Sequence, residues 1–251
     1  MKEDLKKKLQ MLADKYEVPA FIEKDPSQFM HRFSDVRNQE IAAFISANLA
    51  FGNRKQILQH IEIILNSAGA DISSWILSEK YKLLFPLTEK SFYRVYTCKD
   101  MNLFFEGIKN ILKEYGSLGL AFRKAYEKNT NLYLSQLIPE FFDKECKLVA
   151  RGKNGAAKKL NMFLRWMVRN NSPVDLGLWT DWYPKEKLLM PLDTHVMQEA
   201  TKFGLIPSKA DGSIQSASLK TAVALTKEME EVFPGDPVRG DFALFGLGVD
   251  E

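Results

Sequence analysis

The sequence is poor in the residues that build metal sites and disulfides. Of 251 residues, two are cysteine and three are histidine. Cys98 and Cys146 are too few for a disulfide framework or for a four-cysteine cluster, so we expect two buried thiols. The sequence therefore predicts no metal, no cofactor and no iron-sulfur cluster.

Long hydrophobic runs are also missing. No apolar stretch approaches the roughly 20 residues that a membrane-spanning helix needs. The start, Met-Lys-Glu-Asp-Leu-Lys-Lys-Lys, is too charged for a signal peptide. With 45% hydrophobic and 27% charged residues, the composition is typical of a soluble globular protein. We expect a cytoplasmic protein without a membrane partner.

No segment alternates in the manner of a strand, whereas helical spacing recurs along most of the chain. Leu5, Leu9, Leu12 and Tyr16 are one example. The pattern predicts an all-α protein, with helices over roughly 2–16, 36–50, 53–68, 71–78, 88–97, 100–115, 117–127, 131–150, 157–169, 194–203, 216–232 and 237–247. The stretch 170–189 carries two prolines, Trp179 and Trp182 and little helical signal, and such a long connection is usually functional.

The net charge of +3 is small, but basic residues concentrate between Lys144 and Arg169. The eight in this stretch face a single acid, Glu145, and they are Lys144, Lys147, Arg151, Lys153, Lys158, Lys159, Arg165 and Arg169. A stripe of this kind is expected of a protein that contacts phosphates. It is equally expected of a solvated helix face.

Two short strings stand out downstream. In the first, a turn at Asn154-Gly155-Ala156 leads into an apolar helix that begins near Lys158 and Lys159. The second reads Pro191-Leu-Asp-Thr-His195, in which Asp193 precedes another helical run. Asp is a common N-cap, and an N-cap carboxylate is also kept ionised by the helix dipole and backbone donors. His195 could join a metal site, but the scarcity of histidine favours a structural role.

Together these strings resemble the helix-hairpin-helix DNA glycosylases of the endonuclease III and 8-oxoguanine glycosylase group. Three further strings are similar in the same order: Glu40 to Leu49, Phe92-Tyr-Arg94, and Asp241-Phe-Ala-Leu-Phe-Gly-Leu-Gly. The chain departs from the family in its wide spacing between Lys158 and Asp193, in lacking a Gly-x-Gly hairpin, and in lacking the iron-sulfur cysteines. It looks like a divergent bacterial branch.

The resemblance implies a two-lobed helical fold with a groove for DNA. One lobe would span 36–169 and end in the helix-hairpin-helix, and the other would combine 1–35 with 170–251. Lys158 and Asp193 would then lie on opposite lips of the groove. The implied partner is double-stranded DNA, bound by a monomer that associates with the nucleoid.

The implied activity is excision of a damaged base, an oxidised purine, followed by strand cleavage as an AP lyase. Lys158 aligns with the family's nucleophile, with Lys159 as the alternative, and Asp193 aligns with the catalytic acid. Trp179 or Trp182 would receive the extruded base. The expected DNA contacts are Lys153, Asn154, Gly155, Ala156, Lys159, Arg165 and, as filler of the gap left by the base, Asn48.

Two other hypotheses fit the same residues. The first is a non-catalytic DNA-binding module that keeps the hairpin but has lost base excision. The second is a helical scaffold unrelated to nucleic acid. Covalent trapping on damaged DNA and the salt dependence of binding distinguish the three.

Overall fold

The structure of the protein, a computed structural model, describes residues 1–152 and 154–250, with backbone only for 249 and 250. The described chain is mostly helical, in agreement with the all-α prediction. It divides into two compact units. The terminal unit contains Met1–Ile22 and Arg151–Glu251, and the central unit contains Glu23–Ala150. No helix in the described ranges is both long and apolar enough to cross a membrane.

This division differs from the predicted one at both boundaries. Residues 23–35 belong to the central unit, and residues 151–169 belong to the terminal unit. Lys158 and Asp193, which we expected on opposite lobes, are therefore part of the same unit.

The α-helices of the central unit follow one terminal helix, α1, at Glu3–Tyr16. They are α2 Val36–Leu49, α3 Arg54–Ala68, α4 Ile72–Leu77, α5 Tyr81–Leu84, α6 Cys98–Tyr115, α7 Leu118–Lys128 and α8 Leu134–Leu137. A short hairpin pairs β1 Ser91–Tyr93 antiparallel with β2 Tyr96–Thr97. The remaining helices are α9 Lys158–Val168, α10 Thr194–Lys202, α11 Leu219–Val232 and α12 Gly240–Asp250. Short 3-10 helices cover Pro19–Lys24, Pro26–Arg32, Ile138–Phe141, Lys185–Lys187 and Pro237–Arg239.

Short polar side chains fix where many of these helices begin. Each accepts a hydrogen bond from a backbone N–H of the first turn, which would otherwise have no partner. Thr97 and Asp100 form a reciprocal capping box at the start of α6. The other side-chain caps of α-helices are Asp35, Asn53, Asp71, Ser117, Asp193 and Ser218.

Stacked phenylalanines form the core of the central unit. Phe44 of α2 stacks on Phe104 of α6 and on Phe142, with ring centroids 5.4 and 5.5 Å apart. Gly107 lies directly against the Phe142 ring, where a Cβ atom would collide with it. A small residue is needed there because α6 could not otherwise approach this cluster so closely.

Two predicted helices are wrong. Residues 88–97 form the hairpin, because the Phe-Tyr-Arg-Val-Tyr-Thr run is rich in aromatic and β-branched residues and buries Tyr93 and Tyr96. The predicted helix 131–150 is reduced to α8 and the turn Ile138–Phe141, where Pro139 supplies no N–H to continue it. No described residue between 142 and 157 is helical. The helix expected just before the Asn154-Gly155 turn is therefore missing.

In the terminal unit, α12 packs on α1 and α10. Its small residues allow this. Gly246 lies against the ring of Tyr16, and a Cβ on Gly248 would come within 2.8 Å of the His195 Cβ. The first turn of α12, which carries Asp241, is buried.

The entry into α9 is unusual because Ala157 adopts the left-handed conformation, with φ 45° and ψ 44°. The next turn holds it there. The Asn161 amide donates to the carbonyl of Ala156 at 2.8 Å, and the Asn161 backbone N–H donates to that of Ala157 at 2.9 Å. The left-handed conformation costs an L-residue about 1–2 kcal/mol of free energy, so the start of α9 is strained.

We predict that Ala157→Gly raises the free energy of unfolding by roughly 0.5–1 kcal/mol, because the relief of strain exceeds the entropic cost of glycine. Urea unfolding monitored by circular dichroism measures the change. Ala156→Gly is the matched control, since Ala156 does not have positive φ, and it should lower the same free energy. Equal losses in both variants would show that Ala157 is not strained.

Candidate functional site

Lys158 is the first residue of α9 and is partly exposed. Arg165 and Arg169 follow it after seven residues and then four more, spacings that return to the same face of a helix. One face of α9 therefore carries Lys158 and Arg165, and Arg169 follows at the C-cap. Lys158 is partly exposed, and the two arginines are buried. The rest of the helix packs into the core through Leu160, Phe163, Leu164 and Trp166, so Lys158 is attached to a rigid support.

Asp193 caps α10. Its carboxylate accepts a hydrogen bond from the Val196 backbone N–H at 2.9 Å, and the residue is partly exposed. The capping role expected from the sequence is confirmed. It leaves the second carboxylate oxygen available, because a single N–H bond occupies only part of the acceptor capacity of an ionised carboxylate.

The charges of both residues act on a third residue, Asp241. It lies in the first turn of α12, and 5% of its surface is exposed. Burial raises the pKa of Asp241 to about 6; the charges of Arg165 and Lys158 lower it, and those of Asp193 and Asp175 raise it. The charges of Lys158 and Asp193 thus both affect the pKa of one buried carboxyl.

Arg165 links Asp241 to a buried ion-pair network. Its Nη1 donates to the Asp241 carboxylate, and its Nε donates to Asp175 Oδ1 at 3.2 Å. Asp175 also accepts from Arg169 Nη1, and its side chain has no exposed surface. Burial raises the pKa of Asp175 even though both guanidinium groups act to lower it. Asp175 therefore joins Arg165 of α9 to Arg169 at its C-cap.

The network continues away from Asp241. Arg169 donates to both Asp236 oxygens at 2.8 Å and lies 2.9 Å from a Glu17 oxygen. Burial opposes the charge of Arg169, but Asp236, Asp175 and Glu17 raise its pKa above the usual range. At the rim, Arg239 donates to Glu17 at 2.7 Å and to Asp14 at 2.6 Å. Side chains from α1, α9, the connection after α9 and the start of α12 are joined in this way.

The structure corrects the prediction that Arg165 contacts DNA. Arg165 is 3% exposed and is neutralised by Asp175 and Asp241. Arg169 is equally buried. The basic stretch 144–169 is therefore not one exposed stripe, because two of its cations serve the interior and Lys147 pairs with Asp100 at 3.3 Å.

The turn before α9 is tied to α11. The carbonyl of Asn154 accepts from the Leu219 N–H at 2.8 Å, and Gly155 forms a bridge with Ser218. Asn154 and Gly155 are exposed, whereas Ala156 is buried and Lys159 is partly exposed. Lys153, another predicted DNA contact, lies outside the described residues. The turn is thus anchored to α11 rather than to a preceding helix.

Two more predictions are corrected by burial. Trp179 is 2% exposed and packs edge-on against Phe163, with ring centroids 5.2 Å apart, so it is a core residue and not a base receptor. Trp182 lies 5.2 Å from it and is partly exposed. Asn48 in the central unit has no exposed surface, and its amide donates to the Phe44 carbonyl at 2.9 Å. Its burial argues against the predicted role as gap filler.

No group of three or more metal-ligating side chains occurs in the described part of the chain. His195 is exposed, and its ring packs edge-on against Phe245, with ring centroids 6.3 Å apart. This contact gives His195 a packing role against α12.

Sequence reasoning missed Asp175 and Asp241 as members of the site. Each is an acid set among apolar residues, Asp175 in the irregular connection and Asp241 at the head of the small-residue string. A charge at an otherwise buried position needs a partner, and Arg165 and Arg169 also interrupt an apolar run. Two acids and two arginines at otherwise apolar positions were therefore the sequence signal for buried ion pairs.

The fold and site define a mostly helical protein with a lysine, two acids and a buried ion-pair network in its terminal unit. Residues 25–250 match the family model DUF2400, described as a protein of unknown function, and the chain belongs to this family. No curated protein and no solved structure matches the chain. The family description assigns no activity, so function has to be argued from the site.

We predict that Arg165→Met lowers the free energy of unfolding by about 3–5 kcal/mol, because Asp175 and Asp241 lose a buried partner. Chemical denaturation at pH 7.5, where wild-type Asp241 is ionised, measures the loss. The control, Arg123→Met, breaks an exposed pair with Glu127 and should cost less than about 1 kcal/mol. Similar losses in both variants would contradict a special role for the buried pairs.

Proposed function

We propose that the protein is a DNA glycosylase with AP lyase activity, in which Lys158 is the nucleophile and Asp193 the ionised acid. The observation that carries the proposal is that Lys158 and Asp193, each partly exposed at the start of a helix, belong to one compact unit. This placement is compatible with the chemistry, in which an amine and a carboxylate must both reach one sugar.

The reaction begins when the neutral amine of Lys158 attacks C1′ of the deoxyribose. The bond between C1′ and the base breaks, and the base leaves with the bonding electrons and takes up a proton. Positive charge develops on the sugar, and a fixed carboxylate stabilises that transition state. Ring opening then gives a Schiff base between Lys158 and C1′. Removal of a proton from C2′ lets the 3′ phosphate leave, which nicks the strand.

The placement of Asp193 suits the role of ionised acid. Partial exposure permits contact with a substrate, while the Val196 N–H holds the carboxylate at the N-terminus of α10. Lys158 is also partly exposed, at the strained entry of a well-packed helix. Rigid elements thus carry both groups, as catalysis requires.

We propose double-stranded DNA containing an oxidised purine as the substrate. Among the described residues, the candidates for phosphate contact near α9 are exposed Asn154 and Gly155 and partly exposed Lys159. Of the two predicted tryptophans, Trp182, which packs against Trp179, is still a candidate for stacking on an extruded base. A non-catalytic DNA-binding module would keep these contacts without a reactive lysine.

We predict that Lys158→Gln abolishes the covalent adduct that borohydride traps between wild type and a duplex with one abasic site, because glutamine cannot form an imine. Gel analysis of the labelled strand measures the adduct. Lys159→Gln is the matched control and should keep the adduct while weakening binding. Loss of the adduct in Lys159→Gln alone would make Lys159 the nucleophile, and its absence in wild type that binds the duplex would favour the non-catalytic module.

We predict that Asp193→Asn slows base release about 100-fold or more while leaving duplex affinity within about twofold, because the charge is lost but the cap is kept. Single-turnover excision from an 8-oxoguanine duplex measures the rate, and fluorescence anisotropy measures affinity. Asp71→Asn, which changes the corresponding cap of α4, should leave both unchanged. An unaltered rate in Asp193→Asn would remove this residue from the mechanism.

A further inference from the structure

We propose that the central unit carries a surface for unpaired DNA bases, the Phe51 patch. The patch consists of Phe51, Arg54, Lys55, Arg94 and Val95. The inference rests on the proposed function and deepens it, because it names the form of DNA that the protein would take: a duplex interrupted by unpaired bases. The sequence motifs give no role to Phe51, and the family description assigns no activity.

Two turns of the chain meet at this patch. The first, 50–53, joins α2 to α3, and the second is the tip of the hairpin of β1 and β2. The Tyr93 hydroxyl of the hairpin donates a hydrogen bond to the Phe51 carbonyl. The Arg94 guanidinium lies over the Phe51 ring, with Cζ 4.8 Å from the ring centroid. A Cβ atom on Gly52 would come within 2.7 Å of Arg94 Nη1, so a larger residue there would displace the guanidinium.

Helix α3 supports the hairpin. His60 of α3 packs edge-on against Phe92, with ring centroids 5.2 Å apart, and against Tyr93, with ring centroids 4.7 Å apart. The His60 Nδ1 donates a hydrogen bond to the Gln56 carbonyl at 2.7 Å, which fixes the imidazole on the helix. The hairpin tip is thus held against a regular helix.

The side chains of the patch face solvent. Phe51 is 46% exposed and Val95 is 64% exposed, and Arg94 is exposed as well. Arg94 and Val95 form the two-residue turn of the hairpin, because Tyr93 pairs with Tyr96. Such turns favour asparagine and glycine, which tolerate positive φ, yet Arg94 adopts φ 53°. Strain that a glycine would relieve, at an exposed position, points to a function for the guanidinium.

The patch is also positively charged. Residues 41–61 contain Arg54 and Lys55 but no acid, and residues 90–99 contain three basic residues and no acid. Arg54 and Lys55 follow Phe51 after three and four residues, in the first turn of α3. A polyanion is therefore the partner of complementary charge.

The combination of an aromatic ring with cations selects one form of nucleic acid. Unpaired bases stack on exposed aromatic side chains, while arginine and lysine contact the neighbouring phosphates. In an intact duplex each base is covered by its neighbours, so a paired strand would engage the cations alone. A lipid surface would need a larger group of apolar side chains, whereas these segments expose two large ones, Phe51 and Val95.

The test is fluorescence anisotropy of the full chain with two labelled probes, an oligothymidylate of about 12 nucleotides and a blunt duplex of about 30 base pairs. Phe51→Ala should bind the single strand about tenfold more weakly than wild type, which corresponds to about 1.4 kcal/mol. Its affinity for the duplex should stay within about twofold. Phe51→Tyr keeps the ring and should match wild type. Leu83→Ala, which removes another exposed apolar side chain of the central unit, is the matched control and should also match wild type.

Arg94→Gly tests the cation without endangering the hairpin, because glycine adopts positive φ without strain. This variant should resist urea at least as well as wild type. It should bind both probes about threefold or more weakly, and the salt dependence of binding should decrease by about one phosphate contact. Reduced stability together with unchanged binding would mean that the guanidinium serves only the hairpin, and would overturn the inference.

Thermal unfolding verifies that each variant is folded at the temperature of the assay, and Phe51→Leu replaces Phe51→Ala if the latter is not. Three further results overturn the inference. They are an unchanged affinity of the folded Phe51 variant for the single strand, an equal loss for both probes, and binding of wild type to anionic lipid vesicles but not to oligothymidylate.

Borohydride trapping separates this inference from the proposed function. Binding of the single strand that depends on Phe51, together with no adduct from wild type on an abasic-site duplex, would remove the glycosylase proposal but keep the Phe51 patch. An adduct from wild type, together with a Phe51→Ala variant that binds the single strand like wild type, would keep the glycosylase proposal and overturn the patch.

Discussion

The buried ion pairs on one face of α9 are the constraint on which the terminal unit depends. Arg165 and Arg169 bring two guanidinium groups into the core, and each must be matched there by carboxylates, because an unpaired buried charge is very unfavourable. The matching acids come from segments far apart in sequence, so satisfying the arginines requires α1, the connection after α9 and α12 to assemble around one helix. The same requirement buries Asp241, whose pKa the charges of Lys158 and Asp193 also affect.

Much of the helical pattern could be predicted because amphipathic spacing and N-cap residues are local signals. α1, α2, α3, α6, α7, α9, α10 and α11 begin or end close to where the sequence places them. The two wrongly predicted helices have causes that depend on tertiary burial and on competing residue preferences. In 88–97, helical spacing competed with aromatic and β-branched residues that prefer a strand, and burial of Tyr93 and Tyr96 decided in favour of the hairpin. In 131–150, apolar residues suggested a helix, but they are buried in irregular backbone after Pro139.

The site was predictable to the extent that it consists of end-of-helix residues. Asp193 precedes an apolar run and Lys158 begins one, so both could be identified from local sequence motifs. Burial could not be predicted in this way. Arg165, Trp179 and Asn48 belong to residue types that contact nucleic acid, but all three are buried in the structure. Asp241 and Asp175 belong to the site because they bind Arg165, which lies 76 and 10 residues away from them in sequence. No local sequence pattern predicts the contact between Arg165 and Asp241.

The discontinuity of the terminal unit sets an order of events during synthesis. The central unit is one continuous stretch and has all of its own residues once Ala150 has emerged. α1 is made before the central unit, but its packing partners α11 and α12 are made after it. Until then Arg165 lacks Asp241, and α1 lacks both helices on which it packs. The charged centre of the terminal unit is therefore completed only after the central unit has been synthesised.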